Sequence, residues 1–194
     1  MKKLIAITGK IGSGKTSVLI YLKQKGYKVF SADKIYKEML DEDEEFVQEI
    51  CSALGVKPLV YQGKKYLDRI AVKQLVFTDK EKLKTLNSVT HTKIMDEMLR
   101  RCQQCEGVVF CEVPLLAESG CDSYFNAVWE VVRDTTHRVY AVTERDEVSL
   151  DLVEKISKNQ QPYEKKEGIE HTFIYNDSTL EELFVKVDAL EKNI

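Results

Sequence analysis

Gly9-Lys10-Ile11-Gly12-Ser13-Gly14-Lys15-Thr16 is the stretch whose reading decides the fold. It spells G-x-x-x-x-G-K-[ST]. An apolar run, Leu4-Ile5-Ala6-Ile7, precedes it, and a helical pattern, Val18-Leu19 then Tyr21-Leu22, follows. Strand, glycine-rich turn and helix form the setting in which this spelling cradles phosphate. A triphosphate needs several backbone N–H groups turned toward it, and glycines at 9, 12 and 14 leave room for that approach. The helix start adds free N–H groups and the positive end of the dipole. Lys15 is expected to reach the β/γ phosphates and the Thr16 hydroxyl to face Mg2+. The nucleotide-contacting set is thus Gly9, Ile11, Gly12, Ser13, Gly14, Lys15, Thr16 and Ser17. The competing reading is a plain glycine turn, and the complete motif in its context speaks against it.

Working outward, 194 residues suggest one main domain with small insertions. With 43% hydrophobic and 31% charged residues, the composition is that of an ordinary soluble protein. A net charge of −3 supplies no global attraction for nucleic acid. No apolar run reaches the roughly 18 residues of a membrane span, and the N-terminal apolar run is too short for a signal peptide. Five cysteines include one C-x-x-C, Cys102 and Cys105, with no second pair at zinc spacing. Reduced, non-catalytic thiols in a reducing cytoplasm are expected, with a redox or metal role as the alternative.

The pattern predicts strands at 3–8, 27–30, 108–111, 127–132 and 172–175. It predicts helices at about 15–24, 32–40, 69–77, 80–101, 136–145 and 147–160, and another that starts in the acidic run 41–45 and carries Phe46, Ile50 and Leu54 at helical spacing. A closing helix over 179–191 has Ser178 as N-cap and Glu181 three residues on, a capping box. Residues 60–104 lose the strand–helix alternation and read as a helical insertion. Alternating short apolar strands and helices argue an α/β fold with a doubly wound parallel sheet. The expected organisation is a single domain. Its core covers about 1–58, 106–135 and 171–194, the insertion about 59–105 and a lid about 136–170. Active sites in such sheets lie beyond the carboxyl ends of the strands. That singles out 9–16, 31–33, 112–116, 133–134 and Asn176. Asp33 suits a general base for an alcohol acceptor, and equally a helix N-cap.

Seven segments decide further. TGKIGSGKT (8–16), SADKIY (31–36), LDR (67–69), LVFTDKEKLKTLNSVTH (75–91), VPLLAESG (113–120), ERD (144–146) and YNDSTLEEL (175–183) together resemble the dephospho-CoA kinase family. The resemblance covers nearly the whole chain, and VPLLAESG is its most specific block. It implies transfer of the γ-phosphate of ATP, with Mg2+, to the ribose 3′-hydroxyl of dephospho-CoA. The implied fold is that of a P-loop kinase similar to nucleoside-monophosphate kinases, with a five-stranded parallel core, a helical substrate-binding insertion and a lid. Closure of the lid and insertion over both substrates would exclude water.

Carried over by position, Asp33 is the implied base, and Arg69 and His91 bind the acceptor in the insertion. Leu115 and Leu116 wall the acceptor, Arg145 offsets transition-state charge, and Asn176 borders the ATP adenine. Glu112 is placed to hold a Mg2+ water or to serve structurally. Arg69, His91 and Arg145 have surface-residue readings beside these. The chain departs from the family pattern at Ser31, Asp68, Thr92, Ala141 and Lys155. Where arginines are usual, Ala141 and Lys155 stand, and Arg138, Lys158, Lys165 or Lys166 are the candidate substitutes. A kinase of another small acceptor, such as a nucleoside monophosphate, and a non-catalytic nucleotide binder are the alternatives.

Overall fold

The computed structural model describes residues 2–146, 149–150, 153, 157 and 160–194, with the backbone alone for 145–146. Two compact units emerge. One comprises residues 1–31 and 102–194; the other is the continuous segment 32–101.

The first unit is built on a five-stranded, all-parallel sheet. Its strands are β1 (Lys3–Thr8), β2 (Lys28–Ser31), β5 (Val108–Glu112), β6 (Ala127–Val132) and β7 (Glu170–Tyr175). They lie in the order β2-β5-β1-β6-β7. The central strand β1 is flanked by β5 and β6, with Ile7 opposite Glu112 and Thr8 opposite Glu130. Both neighbours therefore end near the start of the glycine loop. Helix α1 (Lys15–Gln24) buries Val18, Leu19 and Leu22 against Ile5, Ile7, Phe110 and Trp129. Helix α7 (Thr135–Asp146) follows β6. The closing helix α8 (Leu180–Glu191) seals the core with Leu183 and Val187. The Thr179 hydroxyl caps α8 by accepting from the Glu182 N–H at 3.3 Å. The cap lies one residue beyond the expected Ser178, because Thr179-x-x-Glu182 is an equally good capping sequence.

Between β5 and β6 run two short turns, α6 (Leu116–Ser119) and a 3-10 turn (Cys121–Tyr124). Neither is long enough to show a hydrophobic period. The predicted helix over 147–160 falls largely outside the described residues. All five cysteines are unbridged. The Cys102 Sγ lies 3.5 Å from that of Cys111, and both are buried.

The second unit contains α2 (Ala32–Glu42), α3 (Glu44–Leu54), α4 (Arg69–Thr78) and the 32–101 portion of α5 (Lys80–Gln103). Its own core gathers Leu40, Phe46, Val47, Ile50, Leu54, Leu67 and Val72. Residues 32–58, grouped with the core in the sequence reading, thus pack with the insertion's helices. Asp43 accepts from the Phe46 N–H at 2.9 Å and Asp68 from the Ala71 N–H at 2.9 Å, capping α3 and α4. The acidic run 41–45 is a cap followed by a favourably charged first turn. One element escaped the sequence reading. Strands β3 (Leu59–Tyr61) and β4 (Lys64–Tyr66) pair as an antiparallel hairpin. Its turn, Gln62-Gly63, has positive φ at both residues, 51° and 82°, the geometry that two-residue hairpins favour. The strands are only three residues long and β3 is exposed, so no alternation of polarity marks them.

Candidate active site

The glycine loop is held open by geometry that side chains would violate. Gly9, Gly12 and Gly14 have φ of +133°, +77° and +102°. A Cβ on Gly9 would lie 2.3 Å from the Val131 carbonyl oxygen, and one on Gly12 would lie 2.7 Å from that of Arg138. The loop therefore packs directly on the backbone of β6 and α7, and only glycine fits. Its N–H groups follow the strand-to-helix turn, Gly14 standing at the N-cap position of α1 with no side chain closing the end. The orphan N–H groups of a helix start are thereby left for an anion.

Lys15 is buried and folds back over the loop, its Nζ donating to the Gly9 carbonyl at 2.8 Å and the Lys10 carbonyl at 3.1 Å. An ammonium held at the mouth of an N–H cradle is placed to meet phosphate oxygens. Thr16 is exposed, and its Oγ1 stands 3.5 Å from Oε1 of the buried Glu112. Hydroxyl and carboxylate oxygens suit Mg2+, a hard cation that keeps much of its water. At the other flank, Asn176 is buried, with its Nδ2 donating to the Ser13 carbonyl at 2.8 Å. Its own N–H donates to the Val132 carbonyl at 2.7 Å. The end of β7 is thus tied to the middle of the loop. Of the sequence-predicted residues, 9–17, Glu112 and Asn176 are gathered by this one unit.

Within the helical unit, Asp33 is exposed in the first turn of α2, inside the helix rather than at its N-cap. A carboxylate there also suits the positive end of the helix dipole. Arg69 opens α4 and pairs with Asp41 at 2.6 Å, exposed on both sides. An exposed pair of this kind contributes little to stability, which leaves the guanidinium available for exchange. His91 is half-buried on α5. In the sheet unit, Leu115 is half-buried ahead of α6 and Leu116 fully buried in it. The side chain of Arg145 and the whole of Lys155 lie outside the described residues.

The model of the family described as dephospho-CoA kinase matches residues 3–182. The chain belongs to the dephospho-CoA kinase family. A curated dephospho-CoA kinase of Fusobacterium nucleatum is 38% identical, with 98% of each chain covered. One of Chlorobaculum tepidum is 33% identical over 98% of this chain and 94% of its own. Among solved structures, a Thermus thermophilus protein matches at TM-score 0.79 and 30% identity over 100% of this chain and 98% of its own. A dephospho-CoA kinase from Campylobacter jejuni matches at TM-score 0.69 and 27% identity, covering 99% and 96%.

Two residues contact the loop in ways that the sequence reading did not foresee. Arg138, a candidate substitute for a lid arginine, is buried against the loop. Its Nη1 donates to the Ile11 carbonyl at 3.0 Å and its Nη2 to the Ser157 hydroxyl at 3.2 Å. Burial lowers its pKa from the usual arginine value. It ties the loop to Ser157, a link that needs the fork geometry of a guanidinium. Gln160 presents its Oε1 to the Ile11 N–H at 2.8 Å. A side-chain oxygen there occupies a donor of the glycine loop. Neither contact has a local signal, since the partners are 127 and 149 residues apart.

Proposed function

We propose that this chain phosphorylates the ribose 3′-hydroxyl of dephospho-CoA with ATP, giving coenzyme A, in the residue-by-residue manner that follows. The observation that carries the reading is the Gly9–Thr16 cradle, with Lys15 at its mouth and Glu112 beside Thr16, in a chain of this family.

The loop N–H groups and Lys15 hold the β/γ phosphates of ATP, Lys15 exchanging its carbonyl partners for phosphate oxygens. Thr16, and Glu112 through water, would hold Mg2+, which would supply neutralisation of the phosphate charge. Asn176 keeps Ser13 in register at the end of the loop nearest the adenine. Asp33 accepts the proton of the 3′-hydroxyl. The oxygen then forms its bond to the γ-phosphorus while the bond to the β-phosphate oxygen breaks and ADP leaves. Arg69 and His91 bind the acceptor, Leu115 and Leu116 wall it, and Arg145 offsets charge on the transferring group.

The test is ADP release with dephospho-CoA, adenosine and AMP as acceptors, for wild type and Asp33→Asn. Dephospho-CoA is the preferred acceptor of the wild type. Removing the base lowers kcat by about 10²- to 10⁴-fold while ATP binding by equilibrium titration is unchanged. Asp33→Asn turning over like wild type disproves the base assignment.

A further inference from the structure

Ile11 of the glycine loop is held at both of its backbone polar groups, and the two holds differ in kind. Its carbonyl accepts from the Arg138 guanidinium on α7, which is buried. Its N–H donates to the Gln160 side-chain oxygen at 2.8 Å, and Gln160 is half-buried in a segment without regular structure. An N–H of a phosphate loop suits an anion's oxygen. The Gln160 amide meets it with an uncharged one. A phosphate oxygen in the same place makes the stronger bond, since charge-assisted hydrogen bonds are roughly twice as strong as neutral ones. One N–H cannot serve both acceptors at full strength, so the two compete.

The near end of the segment is lightly attached. Among the described residues, 160–165 make no backbone–backbone hydrogen bond. Gln160 and Gln161 are held by the Ile11 contact and by the Gln161 N–H donating to Glu118 at 2.8 Å. Between them and Gly9-Lys10 lies a narrow cleft with space of about 10 Å3, about one water. The far end is anchored by Tyr163, which is buried and meets the His171 ring edge-on at 5.0 Å. The Tyr163 hydroxyl and the Lys166 Nζ each stand 3.4 Å from Oδ2 of the buried Asp122. A cavity of about 310 Å3, lined by Leu116, Ala117 and Asp122, lies between α6 and residues 161–166. The segment is therefore not close-packed on that side, and its near end can leave without opening the core.

We infer that Gln160 is a stand-in for phosphate: its amide oxygen competes with the nucleotide for the Ile11 N–H, so that loading the loop frees residues 160–161 from it. The inference rests on the proposed function, in which ATP fills this loop. Phosphate takes the N–H, the Gln160 amide turns to solvent, and the near end moves about Tyr163. Arg138 keeps the Ile11 carbonyl throughout, so the loop holds its shape while one donor changes partner. The coupling is mutual, because the factor by which nucleotide loosens Gln160 is the factor by which Gln160 weakens nucleotide binding. Affinity is reduced to the fraction of molecules with Gln160 away from the loop. A neutral hydrogen bond sets that reduction at about 2- to 10-fold.

The experiment measures Kd for ATP and for inorganic triphosphate, each with Mg2+, by equilibrium titration of wild type, Gln160→Ala and Gln160→Glu. Gln160→Ala binds both ligands about 2- to 10-fold more tightly than wild type. Gln160→Glu binds both more weakly at pH 7, because a carboxylate accepts more strongly than an amide and repels phosphate. Hydrogen exchange of peptides spanning 160–163 supplies a second readout. ATP speeds exchange at Gln161 in wild type, and Gln160→Ala shows the faster rate before ATP is added. A Gln160 that merely shapes the loop gives the opposite sign, with Gln160→Ala binding both ligands more weakly. That result overturns the inference alone, as does an alanine variant equal to wild type or a gain for ATP that inorganic triphosphate does not share. Exchange at Gln161 that ATP slows or leaves unchanged overturns it too. A wild type that binds neither ligand overturns the proposed function itself.

Discussion

Gly14→Ala is expected to damage the protein through Asn176, and the size of the effect follows from the structure. An alanine Cβ at position 14 would lie 2.3 Å from the Asn176 Nδ2. Non-bonded heavy atoms settle at about 3.5–4.0 Å, so the amide must retreat by more than about 1 Å. Its 2.8 Å bond to the Ser13 carbonyl cannot survive that shift. Losing the bond and orphaning buried groups costs about 1–3 kcal/mol. Holding alanine at φ +102° adds about 1–3 kcal/mol of strain. Asn176→Ala by itself forfeits only the hydrogen bond, again about 1–3 kcal/mol. In the double variant the clash has no atom to meet, so its cost falls short of the two singles together by about 1–3 kcal/mol. The assay is urea unfolding of all four proteins, followed by two probes with the slope m held common. Gly26→Ala is the control for strain alone, because its φ is +95° and nothing lies within 4 Å of its Cβ. If Gly14→Ala and Asn176→Ala add to within about 0.5 kcal/mol, the two residues are not coupled and the reasoning fails.

Arg138→Met should destabilise the loop by about 1–3 kcal/mol and raise KM for ATP more than it lowers kcat, measured by steady-state kinetics. Arg138→Lys should not rescue it, because a point charge cannot reach Ile11 and Ser157 together; full rescue would refute the fork. Glu97, paired with Arg100 and Arg101, has its carboxyl held down at about 2, chiefly by the Arg100 hydrogen bond. A depressed carboxyl contributes stability above its unfolded value near 4.5 and loses it as pH falls toward 2. Glu97→Gln is therefore less stable than wild type at pH 7, and the gap closes between about pH 4.5 and 2 in acid-unfolding curves. A gap that stays constant across that window would rule out this linkage.

The features legible in the amino-acid sequence are those written within a few neighbouring residues. The cradle at 9–16 is one example. Its glycines, lysine and threonine act on one another through a single turn, so their order alone specifies the geometry. The strands at 3–8 and 127–132 are others, since each is a short, largely apolar run of the kind a parallel sheet buries on both faces. Caps were legible in type but not always in place: Ser178 and Thr179 compete over one residue, and Thr179 caps α8. The hairpin at 59–66 was not legible, because three-residue exposed strands have no alternation to detect.

Only the tertiary structure decided what closes around the loop. Arg138 and Gln160 contact opposite groups of the same Ile11 residue from 127 and 149 residues away. Asn176 reaches Ser13 across 163 residues. Asp122 gains its cavity from α6 and the segment 161–166 together. Local hydrogen bonds depend on which residue stands three or four places along, and a sequence states that directly. Contacts across the sheet depend on strand order, here β2-β5-β1-β6-β7, and on which backbone can approach a glycine. These are consequences of burying a common core, and no short segment contains them.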